Sequence, residues 1–184
     1  MNAHVRRAAA ASRLLVWTAA AALMALPVLA IRAIGEGPSD PGDFVFLFIL
    51  VAGVGAAFEI AARVSDRHAY RTGVVIALAA ALLSVWINSA VGIIGSEDNP
   101  ANWIYAAPIA VAAIGSVLAR FRPTGMARSM VAAAIAQVLA FAFALLAGLG
   151  FTGPITIFFA GLWLIAAWLF RKAARDRARA SRRR

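Results

Sequence analysis

Few side chains within the apolar stretches of this chain could do chemistry. Glu59 is the one carboxylate in them, and Arg63 follows four residues later, a spacing that places both on one face of a helix. Two interpretations stay open. One is an ion pair at the edge of a membrane, with the Arg63 guanidinium extending outward. The other is a protonatable carboxylate that serves transport or contacts a partner helix.

Two uncharged amides, Asn88 and Gln137, also fall within apolar stretches. Gln137 lies seven residues into its stretch from the basic side, which is about 10 Å along a helix. It could reach Glu59 if their helices touch, whereas Asn88 lies at another level. Single amides in membrane helices usually form interhelical hydrogen bonds worth about 1 kcal/mol. We predict that role for both, with a polar path through Glu59 and Gln137 as the alternative.

The stretch GSEDNPANWIY (Gly95–Tyr105) holds two adjacent carboxylates, Glu97 and Asp98. Asn99 before Pro100 is typical of a helix N-cap followed by proline at the first helical position. Asn102 would then occupy the third helical position, and Trp103 suits a membrane–water boundary. The pattern predicts a turn outside the membrane that starts a helix. The alternative is that Glu97 and Asp98 bind a cation or a partner.

The sequence lacks the residues that most catalytic and metal sites require. The chain has no cysteine, and its two histidines are His4 and His68, both outside the apolar stretches. It therefore lacks the usual ligands for haem or catalytic zinc and the parts of a serine–histidine dyad. We predict no catalytic residue, cofactor or metal. A lipid-modifying enzyme that uses Glu59 and interfacial arginines is the remote alternative.

Composition indicates an integral membrane protein. Hydrophobic residues make up 63% of the 184 residues, charged residues 14%, and the mean hydropathy is +0.83. A soluble domain is about half apolar and about a quarter charged. Of the 18 basic residues only Lys172 is a lysine, and this bias towards arginine and alanine is typical of GC-rich bacterial genomes.

Six apolar runs predict the fold: an all-α integral membrane bundle of six transmembrane helices. A basic N-terminal segment (1–13) precedes this domain (14–170), and an arginine-rich tail (171–184) follows it. Crossing a bilayer takes about 20 helical residues. The six predicted spans are Leu14–Ile34, Phe44–Val64, Gly73–Ile94, Trp103–Ala119, Met130–Leu149 and Ile155–Phe170.

Along the chain, segments rich in basic residues alternate with loops that have almost none. One set of segments holds 17 of the 18 basic residues, and the opposite loops hold only Arg32. Cytoplasmic loops carry such an excess, so both termini are predicted to be cytoplasmic. The rival hypothesis is that the first span is a signal peptide cleaved near Ala30. We expect anionic lipid headgroups, and not nucleic acid, to bind the basic segments, chiefly at Arg120, Arg122, Arg128, Arg171 and Lys172.

Two pairs of loops resemble each other. AIGEGPSDPGDF (Ala33–Phe44) matches IIGSEDNPANW (Ile93–Trp103), and ARVSDRHAYRTGV (Ala62–Val74) matches ARFRPTGMARSMV (Ala119–Val131) at an offset of 57 residues. These matches predict three tandem helical hairpins. Within the spans, Pro27 and Pro108 predict kinks.

The segments AVGIIGSEDNPAN and ARFRPTGMARSM resemble a family of small multi-pass bacterial membrane proteins without assigned activity. The similar part covers roughly Trp86 to Gln137. The resemblance implies an inner-membrane location, and it implies no activity or site residues.

These observations favour a non-enzymatic accessory, scaffold or assembly protein of the bacterial inner membrane. The fifth span carries a small residue at every fourth position from Ala132 to Gly148, which allows close helix packing within the chain, with a membrane-protein partner or with a second copy. The alternative function is a small transporter or channel, with Glu59 and Gln137 on the path and Glu97 and Asp98 at its outer mouth.

Overall fold

The computed structural model describes residues 18, 41–65, 67–96 and 98–181. Over this part the chain is helical and contains no β-strand, which confirms the predicted all-α class. Its elements are five α-helices and one 3₁₀-helix. In chain order they are α1 (Pro41–Val64), α2 (His68–Ala90), the 3₁₀-helix Pro100–Tyr105, α3 (Ala106–Leu118), α4 (Pro123–Leu146) and α5 (Gly153–Ser181).

Two compact units divide the chain, residues 1–60 and residues 61–184, and the boundary falls inside α1. The described part of the first unit is mostly the body of α1. The second unit contains the end of α1 and the remaining helices around one hydrophobic core. The largest side chains fully buried in that core are Tyr70, Met130, Phe159, Trp163 and Phe170.

Four segments of the second unit are long and apolar enough to cross a bilayer: α2, the 3₁₀-helix continued by α3, α4, and α5. They correspond to the last four predicted spans. The 3₁₀-helix matters for length, because it rises about 2.0 Å per residue where an α-helix rises about 1.5 Å. The 19 residues from Pro100 to Leu118 therefore reach about 31 Å, close to the thickness of a hydrocarbon core.

The structure describes the first two predicted spans only in part. Leu14–Ile34 lies outside the described residues apart from position 18. The second predicted span lies within α1, and Phe48–Ala61 is the apolar part of that helix whose side chains the structure describes. Six crossings therefore stay a prediction, and the described residues include four segments able to cross.

Helix neighbours differ from the predicted hairpins. The α4–α5 hairpin is present, but α2 and α3 do not pack along each other: α2 packs on α5, and α3 packs on α4. Fifteen residues separate α2 from α3, enough for the chain to pass over the bundle end. Close approaches fix the actual pairs. A Cβ on Gly73 would lie 3.2 Å from the Phe170 ring, and one on Gly115 would lie 2.6 Å from the Ser129 hydroxyl.

Several helices extend beyond the apolar runs that predicted them. Helix α4 begins at Pro123 and not at Met130, and α5 continues through the predicted tail to Ser181. Hydropathy marks where a span meets charge, whereas the helix itself continues into the headgroup region, where arginine side chains can extend into water. At α2 the opposite holds: the helix ends at Ala90, so Ile93 and Ile94 lie in the following loop.

The alanine stripe predicted along α4 faces partly outward. Ala132 is exposed, whereas Ala140 and Ala144 are buried. At 3.6 residues per turn a four-residue step advances about 400°, so such a stripe drifts about 40° around the helix at every step. The face that packs is instead formed by Met126, Ala127, Ser129, Met130, Ala133, Ala134, Gln137, Ala140 and Ala144.

Pro108 lies in the first turn of α3, fully buried. The helix changes from 3₁₀ to α geometry between Tyr105 and Ala106, and the kink predicted at Pro108 stays a prediction. A proline lacks the amide that would continue a helical hydrogen-bond series, so the change falls where one bond is missing in any case. Pro27 lies outside the described residues.

Helix α4 ends in a Schellman motif. Gly148 adopts a φ of 67°. Its amide donates to the Leu145 carbonyl, and the Leu149 amide donates to the Ala144 carbonyl. Glycine is the usual residue at this left-handed position because it has no Cβ.

The end of α3 repeats this motif without glycine. Arg120 and Phe121 have φ values of 49° and 56°. The Arg120 amide donates to the Val117 carbonyl, and the Phe121 amide donates to the Ser116 carbonyl. Left-handed backbone costs an L-residue roughly 1–2 kcal/mol, so this turn is held in place by contacts elsewhere.

We expect Arg120→Gly to raise the free energy of unfolding by about 1 kcal/mol, because glycine adopts the left-handed backbone without the Cβ clash. Thermal unfolding of the purified protein in detergent measures this. The matched control is Gly148→Ala, which should lower stability by a similar amount, since a Cβ there meets nothing within 4 Å and only φ matters. A loss of stability in Arg120→Gly would show that the arginine side chain contributes more than its backbone costs.

Candidate functional site

One end of the second unit gathers the basic segments. The Tyr70 hydroxyl donates to the Phe121 carbonyl at 2.8 Å, and the Tyr70 ring meets the Phe170 ring edge-on at 5.3 Å between centroids. These contacts join the start of α2, the α3–α4 turn and α5 beside its basic part. We call this the basic end. Its basic residues are Arg67, Arg71, Arg120, Arg122, Arg128, Arg171, Lys172, Arg175, Arg177 and Arg179.

The opposite end is built from residues 91–96, 98–105 and 147–152, and we call it the loop end. Ile94 and Tyr105 pack there against Ala140 and Ala144 of α4. The hydroxyls of Tyr105 and Thr152 share a hydrogen bond of 2.5 Å, which ties the two loops together. The loop end has no basic residue. The two ends of the bundle therefore differ sharply in charge.

The residues predicted to contact lipid headgroups are all exposed at the basic end. Lys172 Nζ lies 5.5 Å from the centre of the Trp168 ring, within the range of a cation–π contact. Tryptophan and lysine together are typical of the membrane–water boundary. The exposed set is Arg120, Arg122, Arg128, Arg171 and Lys172.

A groove of about 430 Å³ lies at the basic end between the start of α4 and the end of α5. Arg122, at the N-cap of α4, and Arg177 of α5 both line it, with the hydroxyl-bearing Thr124 and Ser181. Guanidinium groups bind phosphate and carboxylate oxygens through paired hydrogen bonds. The groove is therefore suited to an anionic group, and sequence analysis missed it because its two sides are about 50 residues apart.

Asn102 organises the loop end. Its Oδ1 accepts hydrogen bonds from the amides of Ile93 at 3.0 Å and Ile94 at 2.7 Å, and its Nδ2 donates to the Ser96 carbonyl at 2.7 Å. The side chain is buried. It supplies hydrogen-bond partners to backbone groups in the loop that follows α2. The sequence predicted only a helix-starting position for it, because its partners come from the folded loop.

The predicted cap at Asn99 is confirmed. Its side-chain oxygen accepts from the Ala101 amide at 3.0 Å, and Pro100 opens the 3₁₀-helix. Asp98 is exposed beside it, and Glu97 lies outside the described residues. The turn interpretation of this stretch therefore has direct support, and cation binding by Glu97 and Asp98 stays a prediction.

Within the described part of the chain, no interhelical hydrogen bond of Gln137 is seen, and the bond predicted for it stays a prediction. The side chain is fully buried, and neither Nε2 nor Oε1 has a partner in the described part of the chain. Asn88 is half-buried, and its Oδ1 also lacks a partner. Two further buried groups without partners are Thr156 Oγ1 and Trp163 Nε1. Their sequence context gives no sign of this, since threonine and tryptophan in an apolar run are typical of ordinary core residues.

Glu59 and Arg63 both lie in α1, one helical turn apart. Glu59 is half-buried and Arg63 is exposed. Glu59 belongs to the first unit and Gln137 to the second. The predicted path through Glu59 and Gln137 is therefore not tested by the structure.

Metal binding finds no support in the described ranges. They contain no group of three or more histidine, cysteine, aspartate or glutamate side chains that could hold a metal ion.

Comparison with known protein families, curated proteins and solved structures finds no match to this chain. Function has to be argued from the two ends and the interior of the bundle.

We expect Asn102→Ala to destabilise the loop end by about 2–4 kcal/mol, because two buried amides lose their acceptor. Asn99→Ala is the control, since it removes one N-cap bond and should cost about 1 kcal/mol. Thermal unfolding ranks the two variants, and limited proteolysis reports opening of residues 91–105. Equal effects of the two substitutions would contradict the role given to Asn102.

Proposed function

We propose that this protein is a multi-pass component of the bacterial inner membrane that acts as a non-enzymatic accessory, scaffold or assembly protein. Its basic end faces the cytoplasm in this proposal, with both termini on that side. The charge difference between the two ends supports this orientation, because short cytoplasmic segments carry the arginine and lysine excess. The proposal includes two further crossings before α2 and the family resemblance of the segment Trp86–Gln137.

The observation that carries the accessory role is the use of polar side chains. Among the described residues of the second unit, side-chain hydrogen bonds that tie loops and turns to the bundle include those of Tyr70, Asn102 and the Tyr105–Thr152 pair. Each of them fastens a turn or loop at a bundle end. Polar groups arranged in this way stabilise a framework, which is what an accessory or scaffold role requires.

The outer faces of the helices support a partner in the membrane. Ile135, Leu139, Phe143 and Leu146 form an exposed apolar strip on α4. Lipid chains cover such a strip, and a partner helix can replace them where close packing is gained. The partner is either another membrane protein or a second copy of this chain.

Anionic lipid is the third component of the proposal. The groove between Arg122 and Arg177 and the surrounding arginines favour headgroup binding, at about 1 kcal/mol for each basic residue near the membrane surface. We propose no nucleic acid partner, since the basic helix end continues directly from a span.

A small transporter or channel is the second candidate. The buried amide of Gln137, with no partner in the described residues, favours it, because polar side chains inside a membrane bundle can line a path for a solute or an ion. Glu59 would share that path, and Glu97 and Asp98 would stand at its outer mouth.

The native mass of the tagged protein, extracted gently from its own membranes, tests the leading proposal. A stoichiometric complex with other membrane proteins is expected for an accessory or assembly role. A defined oligomer of this chain would identify the second copy as the partner, whereas a monomer with lipid alone would contradict that role and favour transport.

A further inference from the structure

The groove at the basic end lies between one face of α5 and the start of α4. Four residues of α5 line it: Ala174, Arg177, Ala178 and Ser181. Their spacing of three and four residues places them on one side of the helix. The start of α4 contributes Arg122 and Thr124. Two arginines from separate segments of the chain therefore line one groove, and its volume of about 430 Å³ is in the range of small-ligand sites.

The charge of this groove is positive and is not balanced within it. Arg122 and Arg177 are both permanently charged, and no acidic residue is among the described residues that line the groove. Asp176 directly precedes Arg177 but is not part of this lining. A doubly charged anion would balance the two guanidinium groups.

The hydrogen-bond donors of the groove suit a phosphate group. Each guanidinium can donate two parallel hydrogen bonds to oxygen atoms, and the Thr124 hydroxyl can donate another. Ser181 contributes less, because its hydroxyl donates to the Ala178 carbonyl at 2.8 Å. A terminal phosphate presents three acceptor oxygens and a charge of about −1.5 to −2 at pH 7. A carboxylate or a phosphodiester carries a single charge, so either one matches the groove less well.

Height along α5 also favours a terminal phosphate. The apolar part of α5 ends at Phe170, and Arg177 follows seven residues later, which is about 10 Å further along the helix. The headgroup layer on one side of a bilayer is about 5–8 Å thick. The phosphodiester of an ordinary lipid lies within that layer, next to the glycerol, whereas the backbone of Arg177 lies at its outer edge. A phosphate on a solute, or at the end of a headgroup, reaches this height.

We propose that the groove between α4 and α5 is a binding site for a terminal phosphate group, a phosphomonoester, held by Arg122 and Arg177. This site rests on the proposed binding of anionic groups at the basic end and narrows it to one chemical class. Two sources present such a group: a phosphorylated solute, and a lipid whose headgroup ends in a phosphate.

Binding is measured on the full-length protein in phosphatidylcholine nanodiscs at constant ionic strength. Glycerol 3-phosphate is the solute probe in a calorimetric titration, and dimethyl phosphate and acetate are its singly charged controls. For the lipid source, the nanodiscs contain phosphatidylinositol 4-phosphate, and native mass spectrometry counts the lipid molecules that the protein retains. Phosphatidylinositol, which lacks the terminal phosphate, is the matched lipid control.

Four variants each remove one positive charge, inside or outside the groove. Arg122→Gln and Arg177→Gln change lining residues, whereas Arg128→Gln in α4 and Arg179→Gln in α5 change exposed arginines outside the lining. We expect each groove variant to weaken phosphomonoester binding roughly tenfold, because it loses charge-assisted hydrogen bonds. Each control variant should weaken it less than about twofold, because salt screens the more distant charge. All four side chains are exposed, so the Tm should stay unchanged.

Saturable binding of glycerol 3-phosphate supports the solute source, and preferential retention of phosphatidylinositol 4-phosphate supports the lipid source. The proposal is overturned when neither phosphomonoester binds, when the singly charged controls bind as tightly, or when groove and control variants lose binding equally. Retention of both lipids without preference removes only this site and leaves general headgroup binding in place. The native mass of the protein does not depend on these results, so failure of the accessory role is recognised separately.

Discussion

Backbone groups at helix ends need partners, and in this chain that requirement decides where the apolar helices stop. Within hydrocarbon an unpaired amide or carbonyl costs several kcal/mol, so each end must reach water or be capped by the chain. Asn102 caps the exit from α2, and Gly148 turns the chain after α4. At the α3–α4 turn, the Tyr70 hydroxyl bonds to the Phe121 carbonyl. All three devices lie at the ends of the bundle, where the connections meet the membrane surface.

Charge follows the same division. The turns of the basic end carry arginine beside the capping contacts, and the loop end uses uncharged asparagine and tyrosine. In the interior between the two ends, alanine side chains pack against Phe159, Trp163 and Phe170. Framework polar groups thus lie at the ends, which favours an accessory role. The atoms of Gln137 and Trp163 that have no partner among the described residues lie in the interior, and the accessory role does not explain them.

Sequence patterns predicted local features and missed long-range ones. Hydropathy located the four described spans, and Asn99–Pro100 located a helix start, because both signals depend on adjacent residues. The pairing of α2 with α5 depends on Gly73 against Phe170, a contact nearly 100 residues apart in sequence. In a chain so rich in alanine many helix faces would pack, so no pattern selected that pair. The bonds of Asn102 and the missing partners of Gln137 likewise arise only when the loops and helices are assembled.

The orientation of the bundle is the central claim, and cysteine labelling tests it most directly. The chain has no cysteine, so Asp98→Cys and Ser181→Cys each place a single thiol on an exposed residue at opposite ends. A membrane-impermeant maleimide is added to intact spheroplasts. Our account predicts that Asp98→Cys is labelled at once and that Ser181→Cys is labelled only after the membrane is permeabilised. Labelling of both thiols from outside, or the reverse order, would contradict it.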